Sequence, residues 1–244
     1  RFINDIKDIT LRKEIPALFT DKGAKWGGNS YELYFRCHDS MDIMSFAIPG
    51  IYIADSTSLN LNITPEGIMT TEMKSPRIAY REQYMKGVNV AIDNRNDKIT
   101  GELNCNEIRA ASMMLMDSRF QILAEDNHLG AAFSYENTGE LLNRGEFVLV
   151  SDFDRKDEKL DIDLELLPTS LHLNSREWNI EPSKIHISGK DIDVESLELT
   201  SAEQRIRLAG KASAERKDTL TLNLDRFDIS IINPLIGSNL CIAG

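Results

Sequence analysis

From Tyr31 onward the chain keeps one habit: apolar residues fall on alternate positions, and turn-forming residues break the runs. The pattern is sharpest between Trp178 and Ile231. There Ile185 and Ile187 alternate with Lys184 and His186, Ile192 and Val194 with aspartates, and Leu197 and Leu199 with Glu198. Ile206 and Leu208 alternate with arginines, Gly210 and Ala212 keep their parity, and Leu220, Leu222 and Leu224 alternate with Thr221 and Asn223. A period of two sends successive side chains to opposite faces of a pleated strand, so each run has one apolar and one polar face. Short runs of this kind, joined at Gly189-Lys190 and Ser201-Ala202, pair as antiparallel hairpins. A helix cannot present such a pattern to one core, because its period is 3.6.

The same reading extends toward the N-terminus. Tyr31, Leu33, Phe35 and Cys37 share a parity, as do Leu59, Leu61 and Ile63, then Val88, Val90 and Ile92, then Ile99, Gly101, Leu103 and Cys105. Thr64-Pro65-Glu66-Gly67 suits a tight type I turn. Ile108 to Met116 has the Ala and Met content of a helix, but its flanking turns favour strands, and it is read as strands. Phe120 to Ala124, Leu129 to Tyr135, Phe147 to Val150 and Leu160 to Leu166 continue the series up to Pro168. Residues 1–30 are the least regular part, with a helical turn expected around Pro16. The expected fold is all-β: a mostly antiparallel ladder curled into an elongated groove, with little helix. Residues 31–244 are expected to form a single elongated domain. Arg1 at the start and the Cys241-Ile242-Ala243-Gly244 end read as cut points in a longer chain.

Charge narrows the partners. A net charge of −11 argues against a phosphate backbone and against docking on anionic headgroups. The longest apolar runs are far too short for a transmembrane helix. The cysteines Cys37, Cys105 and Cys241 are scattered and read as small buried hydrophobes.

Chemistry-bearing patterns are sparse. His38-Asp39-Ser40 holds triad residue types, but adjacent residues do not build triad geometry. Asp152-Phe153-Asp154-Arg155-Lys156-Asp157 fails as a calcium loop, because Lys156 takes the fifth place and Asp157 the sixth, where glycine makes the turn. His128, His172 and His186 lack metal-ligand spacing. No catalytic residue, metal ligand or cofactor is expected. The apolar face remains. It is either the inside of a β-sandwich, closed by a second sheet, or the wall of a groove open to hydrocarbon. Its aliphatic side chains suit acyl chains better than sugar rings.

The runs Trp178-x-Ile180-x-Pro182, Ile185-x-Ile187, Leu197-x-Leu199, Gln204-x-Ile206-x-Leu208-x-Gly210 and Asp218-x-Leu220-x-Leu222-x-Leu224-x-x-Phe227 resemble the TamB-type members of the AsmA-like bacterial envelope proteins, in their Bacteroidetes form. The likeness is good over the C-terminal third and one of style from Tyr31 to Leu166. It implies a periplasmic β-groove lined by aliphatic side chains, with an inner-membrane anchor elsewhere in the polypeptide. It implies a role in phospholipid transport between inner and outer membranes, or in outer-membrane protein assembly. The implied partners are phospholipid acyl chains, an outer-membrane β-barrel assembly protein and client β-strands, not nucleic acid. The implied lipid-facing positions are Ile162, Leu164, Leu166, Ile185, Ile187, Ile206, Leu208, Leu220, Leu222 and Leu224. Two rival readings stand beside this one. A structural or carbohydrate-binding β-sandwich at the cell surface would gather Trp26, Trp178 and tyrosines on an exposed platform. A β-helical polysaccharide lyase or hydrolase would need a cleft with convergent acids or histidines.

Overall fold

The computed structural model describes residues 11–20, 27–38, 49–110, 113–137, 142–156, 158–173, 175–213 and 218–227. Expectations attached to residues 1–10, Trp26, Asp39, Ser40, Asp157, Cys241 and the 231–244 tail lie outside the described residues. The chain forms β1 (Tyr31–Arg36), β2 (Ile51–Ile53), β3 (Ser58–Ile63), β4 (Met69–Tyr80), β5 (Gln83–Asp93), β6 (Ile99–Ala110), β7 (Met113–Glu125) and β8 (His128–Asn137). It continues through β9 (Asn143–Lys156), β10 (Lys159–Leu166), β11 (Thr169–Leu173), β12 (Arg176–Ile180), β13 (Ser183–Ser188), β14 (Asp191–Ser201), β15 (Gln204–Ala212) and β16 (Leu220–Asp225). Two 3-10 turns, Pro16–Leu18 and Arg95–Asp97, are the helical elements among the described residues. The ambiguous stretch from Ile108 to Met116 is strand on both sides of its turn.

All sixteen strands join one antiparallel sheet. Among the described residues they occupy thirteen lanes, because β2 and β3 lie end to end along β4, β10 and β11 along β9, and β12 and β13 along β14. Read by lane, the sheet is an up-and-down meander from β3 to β16, each lane beside its neighbour in sequence, with β1 added outside β3. Short turns suffice for such connections. The Thr64–Gly67 turn closes with Gly67 N–H donating to the Thr64 carbonyl at 2.9 Å.

The sheet does not run flat. Along four neighbouring strands the apolar parity slips by one residue at a common row. Apolar or small inward positions step from Ser75 to Ile78 on β4, Val88 to Met85 on β5, Cys105 to Ile108 on β6 and Ser118 to Leu115 on β7; Ser75 pairs with Val88, Ile78 with Met85, Met85 with Ile108, Cys105 with Ser118 and Ile108 with Leu115. One extra residue in every strand interrupts each ladder at this row but keeps the register on both sides, as a bulge shared by all four strands would. Pro76, Gly87 at φ +61° and Asp117 at φ +41° sit in this crease. The positive φ favours glycine at position 87, and a Cβ there would also force the Asn106 side chain to move. Ser75, Val88, Cys105 and Ser118 are all buried, and the Ser75, Cys105 and Ser118 side chains donate to carbonyls two residues along their own strands.

A second crease crosses the C-terminal lanes. Leu166 pairs with Ser183 and Thr169 with Ile180, which leaves Leu167-Pro168 opposite Glu181-Pro182 outside the ladder. Proline has no N–H to give, and the neighbouring amides turn outward instead: Leu167 donates to Val148 and Glu181 to Glu198. On β14 the register shifts between Val194 and Leu197 at the same row. Leu171, Trp178 and Ile180 form the core here, with Phe147, Leu166, Leu199, Ile206 and Phe227 packed round them.

Candidate functional site

Strand register places every lipid-facing candidate on one face. Ile162 pairs with Ile187 and Leu164 with Ile185, Ile206 with Leu224 and Leu208 with Leu222, and Leu166 sits at the lip of the second crease. Ile162, Leu164, Ile185, Ile187, Ile206 and Leu208 are half-buried, whereas Leu220, Leu222 and Leu224 are 42%, 58% and 47% exposed on the last lane.

The same face continues into the N-terminal half, where the resemblance implied no lipid-facing position. Phe35, Leu59, Met73, Val90, Leu103, Phe120, Phe133 and Phe147 form a continuous cross-strand row over eight lanes. At about 4.8 Å between strands the row is on the order of 30 Å long. None of its members is fully buried, and Phe35 and Phe120 are 42% and 41% exposed. Phe133 stacks at 5.9 Å on Tyr135 and at 6.4 Å on Phe147. A parallel row, Leu61, Thr71, Ile92, Gly101, Ile122 and Ala131, alternates large with small and lowers the floor beside it. The alternation that marks these strands in the sequence was the available signal. What the sequence does not give is the register that lines the rows up.

One end of this face is covered. Leu11, Ile15 and Leu18 pack onto Ile99, Ala124, Ile92, Ile122, Leu129 and Phe153. The covering segment is tied down by Asn127, whose N–H donates to the Glu14 carbonyl at 2.7 Å and whose Oδ1 accepts from Ala17 N–H at 2.9 Å. Arg155 donates to the Ala17 carbonyl at 2.8 Å. Burial pushes the Glu14 carboxyl above the usual carboxylate range, against the smaller opposing pull of its own backbone N–H and of Lys13, and neither oxygen has a hydrogen bond of normal geometry.

The opposite face is mostly polar and cross-linked by charge, with Leu123 and Val150 exposed on it. His128, Asp152, Asp163, His186, Asp193 and Lys211 stand in one register row over six lanes. His128 contacts Asp152, His186 meets Asp163 at 2.7 Å, and Lys211 meets Asp193 at 2.6 Å. Exposed pairs of this kind contribute little stability individually but keep the face wetted. Lys86 and Tyr84 both bond Glu107 and hold its carboxyl below the usual range. A groove of about 640 Å³ also lies on this face, between the row Glu72, Ala91, Glu102, Gln121, Ala132, Val148 and the row Thr70, Asp93, Thr100, Leu123, Gly130. It carries no aromatic side chain. No group of three or more His, Cys, Asp or Glu side chains able to hold a metal occurs among the described residues. Trp178 is 3% exposed and meets Phe227 edge-on, so it belongs to the core and to no surface platform.

No protein-family model, no curated protein and no solved structure matches the chain.

Proposed function

We propose that the apolar face is a cradle for acyl chains, and that the protein is a periplasmic segment of a TamB-like or AsmA-like machine that carries phospholipid between the inner and outer membranes or supports outer-membrane protein assembly. The observation that carries this reading is the eight-lane row from Phe35 to Phe147, large and apolar throughout and nowhere fully buried. Monomeric proteins rarely leave a contiguous apolar patch of this extent in water without a use for it. Half the ~30 Å bilayer core, about 15 Å, is the reach of one acyl chain, so the row is long enough to hold a tail lengthwise. Each methylene moved from water to such a wall is worth about 0.8 kcal/mol, and a full tail gains on the order of ten kcal/mol gross. The mechanism is passive: the wall shields the tail and the charged outer face keeps the sheet in solution. Client β-strands would use an edge lane instead, by strand addition.

The test is native mass spectrometry of the protein purified from cells, followed by titration of the delipidated protein with a fluorescent fatty acid. Bound phospholipid and saturable fatty-acid binding are expected. Replacing Phe120 and Phe133 together by serine should weaken that binding by on the order of tenfold or more while the far-ultraviolet circular dichroism is kept. Absence of both co-purified lipid and saturable binding would end this reading.

A further inference from the structure

We propose that residues 11–19 are a proton-controlled plug over one end of the apolar face, docked while Glu14 is neutral and released when it ionises. Three observations meet at this segment. It makes no strand pairing; its hold is apolar contact from Leu11, Ile15 and Leu18 plus bonds to Asn127 and Arg155. Within that segment stands Glu14, 1% exposed and directly followed by the core residue Ile15. Both of its carboxylate oxygens lack a hydrogen-bond partner.

None of the charged groups around it bonds its carboxyl, and the pull of Lys13 that favours the ionised form is opposed by Asp97. Lys13 pairs with Asp97 of the 95–97 turn, Arg12 lies 4.4 Å from the centre of the Phe19 ring, and Arg155 donates to the carbonyls of Ala17 and Glu158. Glu125, Asp126 and His128 on the adjoining β7–β8 turn are exposed. A carboxyl buried without a partner is tolerated when protonated and penalised when charged. The docked state therefore binds its proton more tightly than the released state. Docking is fully favoured below the ordinary glutamate value of about pH 4.3, weakens by up to tenfold per pH unit above it, and levels off once pH passes the raised value of the docked carboxyl. Release uncovers Ile99, Ala124, Leu129 and Phe153. That this exposes them to acyl chains rests on the reading of the face given above; the coupling of plug to proton does not.

Hydrogen exchange of the full chain without lipid separates the two. After correction for intrinsic exchange, protection of the Ile15, Ala17 and Asn127 amides in the wild type should fall from pH 5 toward pH 8, with a slope of up to one proton. In Glu14→Gln and in the apolar Glu14→Leu it should be high and independent of pH. Protection that is equal at both pH values in the wild type, the same slope in the variants, or loss of docking in both variants would each overturn the plug. Fatty-acid titrations at pH 5 and pH 8 form the second arm. A plug that titrates in a protein that binds no fatty acid leaves the proton switch standing and removes only the acyl-chain reading.

Discussion

Gly210 shows how much a single position can hold. Its φ is +117°, and a Cβ built there would stand 2.3 Å from the Thr219 carbonyl oxygen, a backbone atom that no side-chain rotation can move. Gly210 pairs with Leu220, the first residue of β16, and Lys211 N–H donates to that same Thr219 carbonyl at 3.2 Å. Gly210→Ala therefore meets both an unfavourable backbone region and a clash, a cost of about 1–3 kcal/mol. β16 is the outermost C-terminal lane among the described residues and every residue in it is exposed, so the cost should be relieved by freeing β16 and not by unfolding the sheet. Amide protection of Leu222 and Leu224 should vanish in this variant while that of β6 and β7 is unchanged. Protection kept at β16 would show that the close approach is easily relieved.

At the scale of the element, the creases separate residues that hold the fold from residues that only face it. Trp178 and Leu222 lie on the apolar side of the same half of the sheet, yet one is 3% exposed and the other 58%. Trp178 fills the angle of the second crease against Leu171, Ile180 and Phe227. Trp178→Ala should cost about 3–5 kcal/mol, the usual loss for a large buried aromatic. Leu222→Ala should stay within about 0.5 kcal/mol. Urea denaturation followed by circular dichroism gives both numbers, and near-equal losses would contradict the placement of the crease. The prolines carry a related lesson. Pro76, Pro168 and Pro182 all fall inside or between strands, where proline reads as an interruption. Each marks a bend in a lane that continues beyond it. A strand signal that stops before a proline and resumes three residues later, as from Leu166 to Thr169, describes one bent lane.

At the scale of the molecule, a meander of thirteen lanes is close to one-dimensional. Each lane contacts its sequence neighbours and little else, so stability is a sum of local terms and opening is not all-or-none. Protection against exchange should be greatest in β5 to β9, where long strands pair over most of their length, and should fall off toward β1 and β16. Uniform protection across all lanes, with one cooperative transition, would show coupling that the sheet does not display. The same geometry explains why the apolar face can remain half-open. A single sheet has no second layer to bury it among the described residues, and the creases, the 11–19 segment and Phe227 cover it only in part.

The sequence by itself determined that the chain is a run of antiparallel strands with one apolar and one polar side, because side-chain period and turn chemistry are local properties. It gave Ile162, Leu164, Ile185, Ile187, Ile206, Leu208, Leu220, Leu222 and Leu224 the apolar parity of their own strands for the same reason, and register then set them on one face. It did not determine which strands share a lane, where the sheet bends, that Phe35 to Phe147 fall into one row, or that Glu14 is buried. Those depend on register and on contacts between residues far apart in the chain, and Asn127 holding Ala17 across 110 positions is set by no pattern near either residue. Only the assembled sheet, where a shift of one residue turns a whole strand over, decides them.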